Sequence, residues 1–187
     1  MGKPMLRSKP RKTVDDYMAL PVEGHGVELI RGEFAVSPSP QARHQIVVGN
    51  LLVALHAYLE RRPIGKAIVC PLDVIFGPDT VVQPDLILIR TERLPILTDR
   101  VRGTPDLLIE VLSPGTVDRD RFVKRELYER NGVAEYWIVD PDARTVEVFS
   151  LKDAAAYGPA ALFEAGETIE GTTVLPGLEL RLDSLWD

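Results

Sequence analysis

The sequence contains little cysteine, no long apolar run and few aromatic residues. Its single cysteine, Cys70, excludes a disulfide framework and a cysteine-based metal cluster. No apolar stretch is long enough to span a membrane, and the polar start of the chain lacks the apolar centre of a signal peptide. These absences predict a cytoplasmic protein that does not act at a membrane.

Positive charge is scarce outside the first few residues. The 187-residue chain has a net charge of −6 at neutral pH, yet residues 1–12 include five basic residues and no acidic one. The rest of the chain is therefore acidic, which argues against tight nonspecific binding to nucleic acid but allows an enzyme with a local basic rim. We predict a basic flexible leader over residues 1–12 and a single domain over residues 13–187.

Hydrophobic periodicity predicts an α/β protein. Thr13 and Asp16 are typical of a capped helix start, and residues 27–36 predict a β-hairpin. Longer helices are predicted over residues 43–62 and 118–131, and strands over residues 67–70, 72–76, 85–89 and 106–112. A second hairpin is predicted over residues 135–150, with short edge strands after it. Because the middle strands are apolar on both sides, they belong in the centre of a sheet covered by helices.

Two carboxylates stand in or beside runs too apolar to hold them without a partner. Asp85 follows Pro84 at the start of PDLILI, and Glu110 lies inside DLLIEVLS. A buried carboxylate costs roughly several kcal/mol unless it is paired, hydrogen-bonded or bound to metal. If the two strands are neighbours, both side chains reach one spot, where their oxygens suit Mg²⁺. The pattern predicts a metal-dependent site that cleaves phosphodiester bonds.

Lys124 is the candidate cation of this site. It lies on the predicted helix that follows Glu110, where Val123 and Leu127 are expected to form the inward stripe with Lys124 and Tyr128 beside it. A lysine at that place could extend toward Glu110. Its charge would then stabilise the transition state or orient the attacking water.

Each of these three residues also has a structural interpretation. Asp85 follows a proline and could cap a turn through its own backbone. Glu110 and Lys124 could form a salt bridge that serves only the fold. The sequence leaves these alternatives open.

Other charged and histidine positions are interpreted as structural. The charged segment over residues 119–125 is by default a solvated helix face. His44 and His56 are more often structural than catalytic. Neither has metal-ligand spacing with Cys70.

A longer pattern is similar to a known family. The run from PDLILI through DLLIEVLSPGT, with a following lysine, to GVAEYWIVDP resembles the Uma-two-type restriction endonucleases, a prokaryotic branch of the PD-(D/E)XK nuclease superfamily. VELIRGEF, RHQIVVGNLLVALHAYLE and LPGLEL resemble the same branch. The likeness covers nearly the whole chain from Thr13.

The resemblance implies both a fold and an activity. The fold is restriction-endonuclease-like, with a mixed central β-sheet flanked by helices, an N-terminal β-hairpin and short C-terminal strands. The activity is DNA hydrolysis with Mg²⁺, for which Mn²⁺ can substitute, and Asp85 and Glu110 correspond to the metal-binding carboxylates. A homodimer is expected because cutting a duplex takes two active sites.

The sequence departs from the superfamily pattern at one position. The pattern places a lysine two residues after the acid, where this chain has Leu112. The resemblance therefore points to Lys124 as the displaced amine, with Tyr128 as a further candidate. The early acidic residue of such folds corresponds to Glu33 or Glu28, of which Glu33 is preferred.

Three functions are compatible with these residues. The leading hypothesis is a Mg²⁺-dependent DNA endonuclease. The alternative is a catalytically inactive nuclease-fold module that binds nucleic acid or protein, which Leu112 and the acidic body favour. A two-carboxylate glycosidase is the third, and an aromatic content of 6% argues against it because sugar-binding platforms are rich in aromatic residues.

Overall fold

The fold is described for three stretches of the chain. The computed structural model describes residues 10–21, 26–152 and 156–187. Within these stretches, no helix has both the length and the apolar character needed to cross a bilayer. Most of the predicted leader lies outside the described residues, but the Lys12 backbone N–H donates to the Gly32 carbonyl at 2.9 Å. The last residues of the leader therefore lie against the first hairpin.

Helices form at the places where the sequence supplies start and stop signals. Thr13 and Asp16 form the predicted capping box, and Pro63 follows the end of the longest helix. Gly132, with φ +72°, follows the third helix in the left-handed conformation that glycine adopts readily. The helical segments are α1 (Val14–Met18), α2 (Ala42–Arg61), a π-helical turn (Arg119–Lys124) that continues into α3 (Arg125–Arg130), and 3₁₀ turns at Thr91–Ile96 and Leu182–Leu185.

Strands make up most of the regular structure in the described residues. In chain order they are β1 (Val27–Ile30), β2 (Glu33–Val36), β3 (Gly65–Val69), β4 (Val74–Gly77), β5 (Thr80–Val82), β6 (Leu86–Arg90), β7 (Val101–Arg102), β8 (Leu107–Val111), β9 (Glu135–Asp140), β10 (Thr145–Lys152), β11 (Ala156–Tyr157), β12 (Ala161–Glu164), β13 (Thr168–Glu170) and β14 (Glu179–Arg181). The N-terminal hairpin and the short C-terminal strands are both present, as predicted.

The central sheet is mixed, as the family resemblance implied. Its strand order is β11-β10-β9-β8-β6-β3, with β12 also paired to β10. Strands β8 and β9 are parallel, whereas β6 pairs antiparallel with β8. Every residue of β8 is buried, and so are nearly all residues of β6 and β9. A second sheet has the order β2-β1-β5-β4-β7, and β13 pairs with β14.

Alternation along β8 divides the interior into two cores. Leu107, Ile109 and Val111 face one core, which α2 covers through its own buried stripe. Leu108 and Leu112 face the other core, together with side chains of α3. A strand has a side-chain period of two, so Glu110 shares the face of Leu108 and Leu112.

The prediction was incomplete between residues 70 and 106. Strands β5 and β7 were not predicted, because three and two residues are too short to give an alternating pattern. The predicted strand over residues 72–76 begins only at Val74. It also belongs to the second sheet, where it pairs with β5 and β7.

Candidate active site

The sheet register brings Asp85 and Glu110 together. Leu86 of β6 lies opposite Ile109 of β8, so the antiparallel register places Asp85 opposite Glu110. The Val111 backbone N–H donates to Asp85 Oδ2 at 2.7 Å. Asp85 immediately precedes β6, and its side chain is 23% exposed. The neighbouring strands assumed in the sequence analysis are therefore present.

Lys124 lies buried at the centre of a group of carboxylates. Its Nζ atom is 2.8 Å from Glu110 Oε1, 3.0 Å from Glu28 Oε1 and 3.6 Å from Asp120 Oδ1. The Tyr128 hydroxyl also donates to Glu110 Oε1, at 2.7 Å. Lys124 and Tyr128 thus fix one oxygen of Glu110 from two successive turns of the same helical segment. The salt bridge of the structural interpretation is present, within a larger cluster.

Of the two early acidic candidates, the structure places Glu28 beside Lys124 and the preferred Glu33 away from it. Glu28 lies on β1, is 2% exposed and accepts a hydrogen bond from the Gln83 backbone N–H at 2.8 Å. Glu33 is exposed on β2, the edge strand of the second sheet. The hairpin therefore places Glu33 one strand further from Lys124, where it borders a separate surface groove with Phe122.

The π-helical turn and α3 bury a different face from the one that was predicted. Val123 was expected on the inward stripe but is 38% exposed. The buried positions are Asp120, Lys124, Leu127 and Tyr128. Their spacing is helical, but two of the four are charged, so a search for apolar stripes assigns the face to solvent. Leu112 is buried among apolar neighbours and leaves no amine at the position of the superfamily pattern.

Two residues that the sequence analysis treated as structural lie in the cluster. Asp120 was assigned to a solvated helix face but is 2% exposed. His44 lies in the first turn of α2, and its Nε2 is 3.1 Å from Asp85 Oδ2. The available sequence signals were the i, i+4 spacing of Asp120 and Lys124 and the continuation of the α2 buried stripe to His44. Both signals are weak without knowledge of the sheet register.

Burial and mutual charge shift the ionisation of the cluster. Burial raises the pKa of Glu110 well above its usual value, although the Lys124 ammonium opposes the shift. Burial also raises the pKa of Asp120, again against Lys124. For Lys124, burial lowers the pKa, but the surrounding carboxylates outweigh it and hold the pKa well above the usual value. Lys124 therefore stays charged, and Glu110 and Asp120 take up a proton more readily than exposed carboxylates do.

His44 and Tyr128 are shifted by the same carboxylates. Burial lowers the pKa of His44, but the hydrogen bond and the charge of Asp85 outweigh it, so the pKa lies above its usual value. Burial raises the pKa of the Tyr128 hydroxyl well above its usual value, and the charge of Glu110 adds to the shift. Tyr128 is therefore a fixed hydrogen-bond donor at neutral pH.

The cluster lines a pocket of about 250 Å³ that opens to solvent. Asp85, Glu110, Asp120 and Lys124 form its floor and walls with Glu28, and its rim includes Ser39, Pro40 and Gln45. Asp85 is the partly exposed carboxylate of this pocket, whereas Glu28, Glu110 and Asp120 are buried behind it.

A small hard cation fits the donor set of this pocket. Among the residues that the structure describes, no three His, Cys, Asp or Glu side chains lie close enough to enclose a metal ion on their own. Mg²⁺ does not require such a cage, because it keeps several waters and takes one or two protein carboxylates. Within the same residues, Glu28 Oε2 and Asp120 Oδ1 are buried without a hydrogen-bond partner. Both oxygens already face protein cations, since Glu28 Oε2 is 3.7 Å from Arg119 Nη1 and Asp120 Oδ1 is 3.6 Å from Lys124 Nζ. The carboxylate most open to a metal ion is that of Asp85, whose side chain is 23% exposed.

The fold is shared with a solved structure of a nuclease-like protein. That structure is described as a putative nuclease belonging to DUF820 from Anabaena variabilis ATCC 29413. It is 23% identical to this chain, with a TM-score of 0.77 over 93% of this chain and 97% of the other. The likeness confirms the predicted restriction-endonuclease-like fold.

A family model then identifies the group of proteins. It matches residues 14–183, and the family is Uma2, described as "Putative restriction endonuclease". The chain belongs to the Uma2 family, as the sequence resemblance predicted, and this membership supports a nuclease. No curated protein matches the chain significantly.

Proposed function

We propose that the protein is a Mg²⁺-dependent DNA endonuclease whose site is the pocket around Lys124. The observation that carries the proposal is the convergence of four carboxylates from four separate chain segments on one pocket, three of them 2.8 to 3.6 Å from Lys124 Nζ. These carboxylates belong to Glu28, Asp85, Glu110 and Asp120. A structural ion pair needs only one carboxylate for each lysine, because each further buried charge adds to the desolvation cost.

In this proposal Asp85 and Glu110 hold the metal ion. Asp85 is the more exposed of the two and projects into the pocket, whereas Glu110 is fixed by Lys124 and Tyr128. When bound there, Mg²⁺ would polarise the scissile phosphate and lower the pKa of a bound water. Mn²⁺ prefers similar oxygen ligands and is expected to substitute.

Lys124 supplies fixed positive charge close to the reacting phosphate. It lies 14 residues after Glu110 and reaches that carboxylate from the helical segment, so it occupies the role of the amine that Leu112 does not provide. A charge fixed in a buried site stabilises the transition state without reorganisation. Glu28 and Asp120 hold the ammonium on its other sides, and Tyr128 holds Glu110.

One observation favours an inactive binding module as a second candidate. Lys124 Nζ is already 2.8 Å from Glu110 Oε1, so an internal cation neutralises part of the charge that a metal would otherwise meet. If that ion pair persists in solution, the pocket would bind a nucleic acid or protein partner without turnover. The two candidates differ in whether the pocket binds a divalent ion.

DNA as the substrate, a homodimer and a cytoplasmic location belong to the same proposal. Family membership supports a nucleic acid substrate, and a duplex cut at both strands needs two active sites. Light scattering of the purified protein with and without a DNA duplex would measure the oligomeric state. A monomer under both conditions would restrict the activity to nicking or to single strands.

The direct test is cleavage of supercoiled, linear and single-stranded DNA with Mg²⁺, Mn²⁺ or EDTA. We expect metal-dependent cleavage by the wild type and none by Asp85→Asn. Asp73→Asn is the matched control, because Asp73 lines a neighbouring pocket with Tyr17 and pairs with Arg100. Cleavage by Asp85→Asn at the wild-type rate would overturn the site. No divalent-ion binding in calorimetry, together with no cleavage of any DNA, would favour the binding module.

A further inference from the structure

His44 is held in a fixed position by the packing of α2. It is 8% exposed and continues the buried stripe that Val47, Val48 and Leu51 form on the same helix. This stripe packs against the side of the central sheet opposite to Glu110. The imidazole lies at the start of α2, next to the N-terminal end of β6, where it contacts Asp85.

Two donors from different elements hold the same oxygen of Asp85. His44 Nε2 is 3.1 Å from Oδ2, and the Val111 backbone N–H donates to Oδ2 at 2.7 Å. Asp85 Oδ1 receives no hydrogen bond from any residue that the structure describes. Because α2 and β8 approach Oδ2 from separate directions, the carboxylate cannot rotate without breaking one of these contacts.

We propose that His44 is a positioning residue for the metal-binding carboxylate, and that its contact with Oδ2 directs Asp85 Oδ1 to the divalent cation. This inference rests on the proposed function. Carboxylates that bind metals are themselves held by hydrogen bonds, and removal of such partners lowers metal affinity by about 10–100-fold. In this role His44, which also lines the pocket, acts through Asp85 and is not itself a ligand of the metal ion.

A structural role alone makes a different prediction. If His44 only fills the end of the α2 stripe, an apolar side chain of similar size would serve equally well. His44→Leu continues the stripe but donates no hydrogen bond. His44→Gln places an amide N–H near the position of Nε2, whereas the shorter His44→Asn places it out of reach of Oδ2.

The test is the affinity for Mn²⁺ without DNA, measured by titration calorimetry, with thermal melts in EDTA as a record of folding. We expect His44→Leu and His44→Asn to bind Mn²⁺ about 10–100-fold more weakly than the wild type, and His44→Gln to recover most of the affinity. His56→Ala is the matched control, since His56 is exposed on the same helix and should leave affinity unchanged. At saturating Mn²⁺, cleavage by His44→Leu should return toward the wild-type rate.

The outcomes separate this inference from the proposed function. Equal Mn²⁺ affinity in the wild type, folded His44→Leu and His44→Asn would overturn the positioning role alone. His44→Gln binding as weakly as His44→Leu would also overturn it, because the donor would then not matter. A wild type that binds no Mn²⁺ would overturn the proposed function and the role of His44 with it.

Discussion

Two buried glutamates of the central sheet have similar burial and different surroundings. Glu110 on β8 and Glu135 on β9 are 4% and 0% exposed. The parallel register pairs Glu135 with Leu107, so the two carboxylates point to opposite faces of the sheet. Glu135 accepts hydrogen bonds from Trp137 Nε1 at 2.7 Å and from the Val174 backbone N–H at 3.1 Å. Glu110 instead meets a lysine in a pocket.

The comparison shows that burial alone does not identify a functional carboxylate. Burial raises the pKa of both glutamates. Each oxygen of Glu135 receives one neutral donor, so the group is satisfied and bridges β9 to a C-terminal loop. Glu110 shares its environment with Glu28, Asp85 and Asp120, and these four carboxylates line one open pocket with Lys124. The convergence of several charges, and not burial, distinguishes Glu110 as a candidate for function.

The largest expected effect comes from the removal of the lysine that distinguishes the two sites. Lys124→Met should lower the free energy of unfolding in EDTA by about 3–5 kcal/mol, because buried carboxylates lose their shared partner. Chemical denaturation with urea measures the loss. Mn²⁺ should restore part of it, since a bound cation stabilises the folded state.

Lys66→Met is the control for this experiment. Lys66 is exposed on β3, and its substitution should change stability by no more than about 0.5 kcal/mol. A Lys124→Met protein as stable as the wild type would mean that the carboxylates are neutral without their lysine. The electrostatic difference between the two glutamates would then disappear.

The second prediction compares activity at the two glutamates directly. Glu110→Gln should reduce the single-turnover cleavage rate of plasmid DNA by about 10²–10³, because an electrostatic contribution to the reaction is lost. Its amide oxygen can still accept from Lys124 and Tyr128, so the fold should persist. Glu135→Gln should cleave at the wild-type rate. An equal loss in both variants would mean that the assay reports stability.

The third prediction concerns Glu135 as a purely structural group. Glu135→Leu leaves the Trp137 indole N–H and the Val174 N–H buried without acceptors. Each orphaned donor costs about 1–3 kcal/mol, so the urea midpoint should fall while Mn²⁺ affinity stays unchanged. Weaker Mn²⁺ binding by this variant would indicate that the two faces of the sheet are coupled.

Much of the site was predictable because it depends on local sequence. PDLILI and DLLIEVLS give strong strand signals, and a carboxylate inside each is conspicuous. The following helix placed Lys124 within reach of Glu110, as the structure shows. The same patterns predicted the buried central strands, and the family resemblance implied that their sheet is mixed.

The remaining members of the cluster depend on pairing between distant segments. Glu28 reaches the site because β1 pairs with β5, and β5 is too short to predict. Asp120 is buried because a charged helix face packs inward, which apolar periodicity assigns to solvent. His44 meets Asp85 across 41 residues of sequence. Contacts of this kind follow from tertiary structure and leave no short-range pattern.

The last prediction is a pH dependence of the free energy of unfolding. Both glutamates contribute to it, and the effect expected from each ionisable group is small. Burial raises the pKa of Glu110, Asp120 and Glu135, and the charge of Asp85 raises that of His44 against burial. The folded protein therefore binds more protons than the unfolded chain, and stability in EDTA should fall as pH rises from about 5 to 8. Each group contributes at most about 1.4 kcal/mol per pH unit.

Urea unfolding at several pH values measures the slope, and Glu110→Gln and Glu135→Gln should each flatten it. Stability that rises with pH would contradict the raised pKa values, and a slope changed by one variant alone would show that only that glutamate titrates in this range.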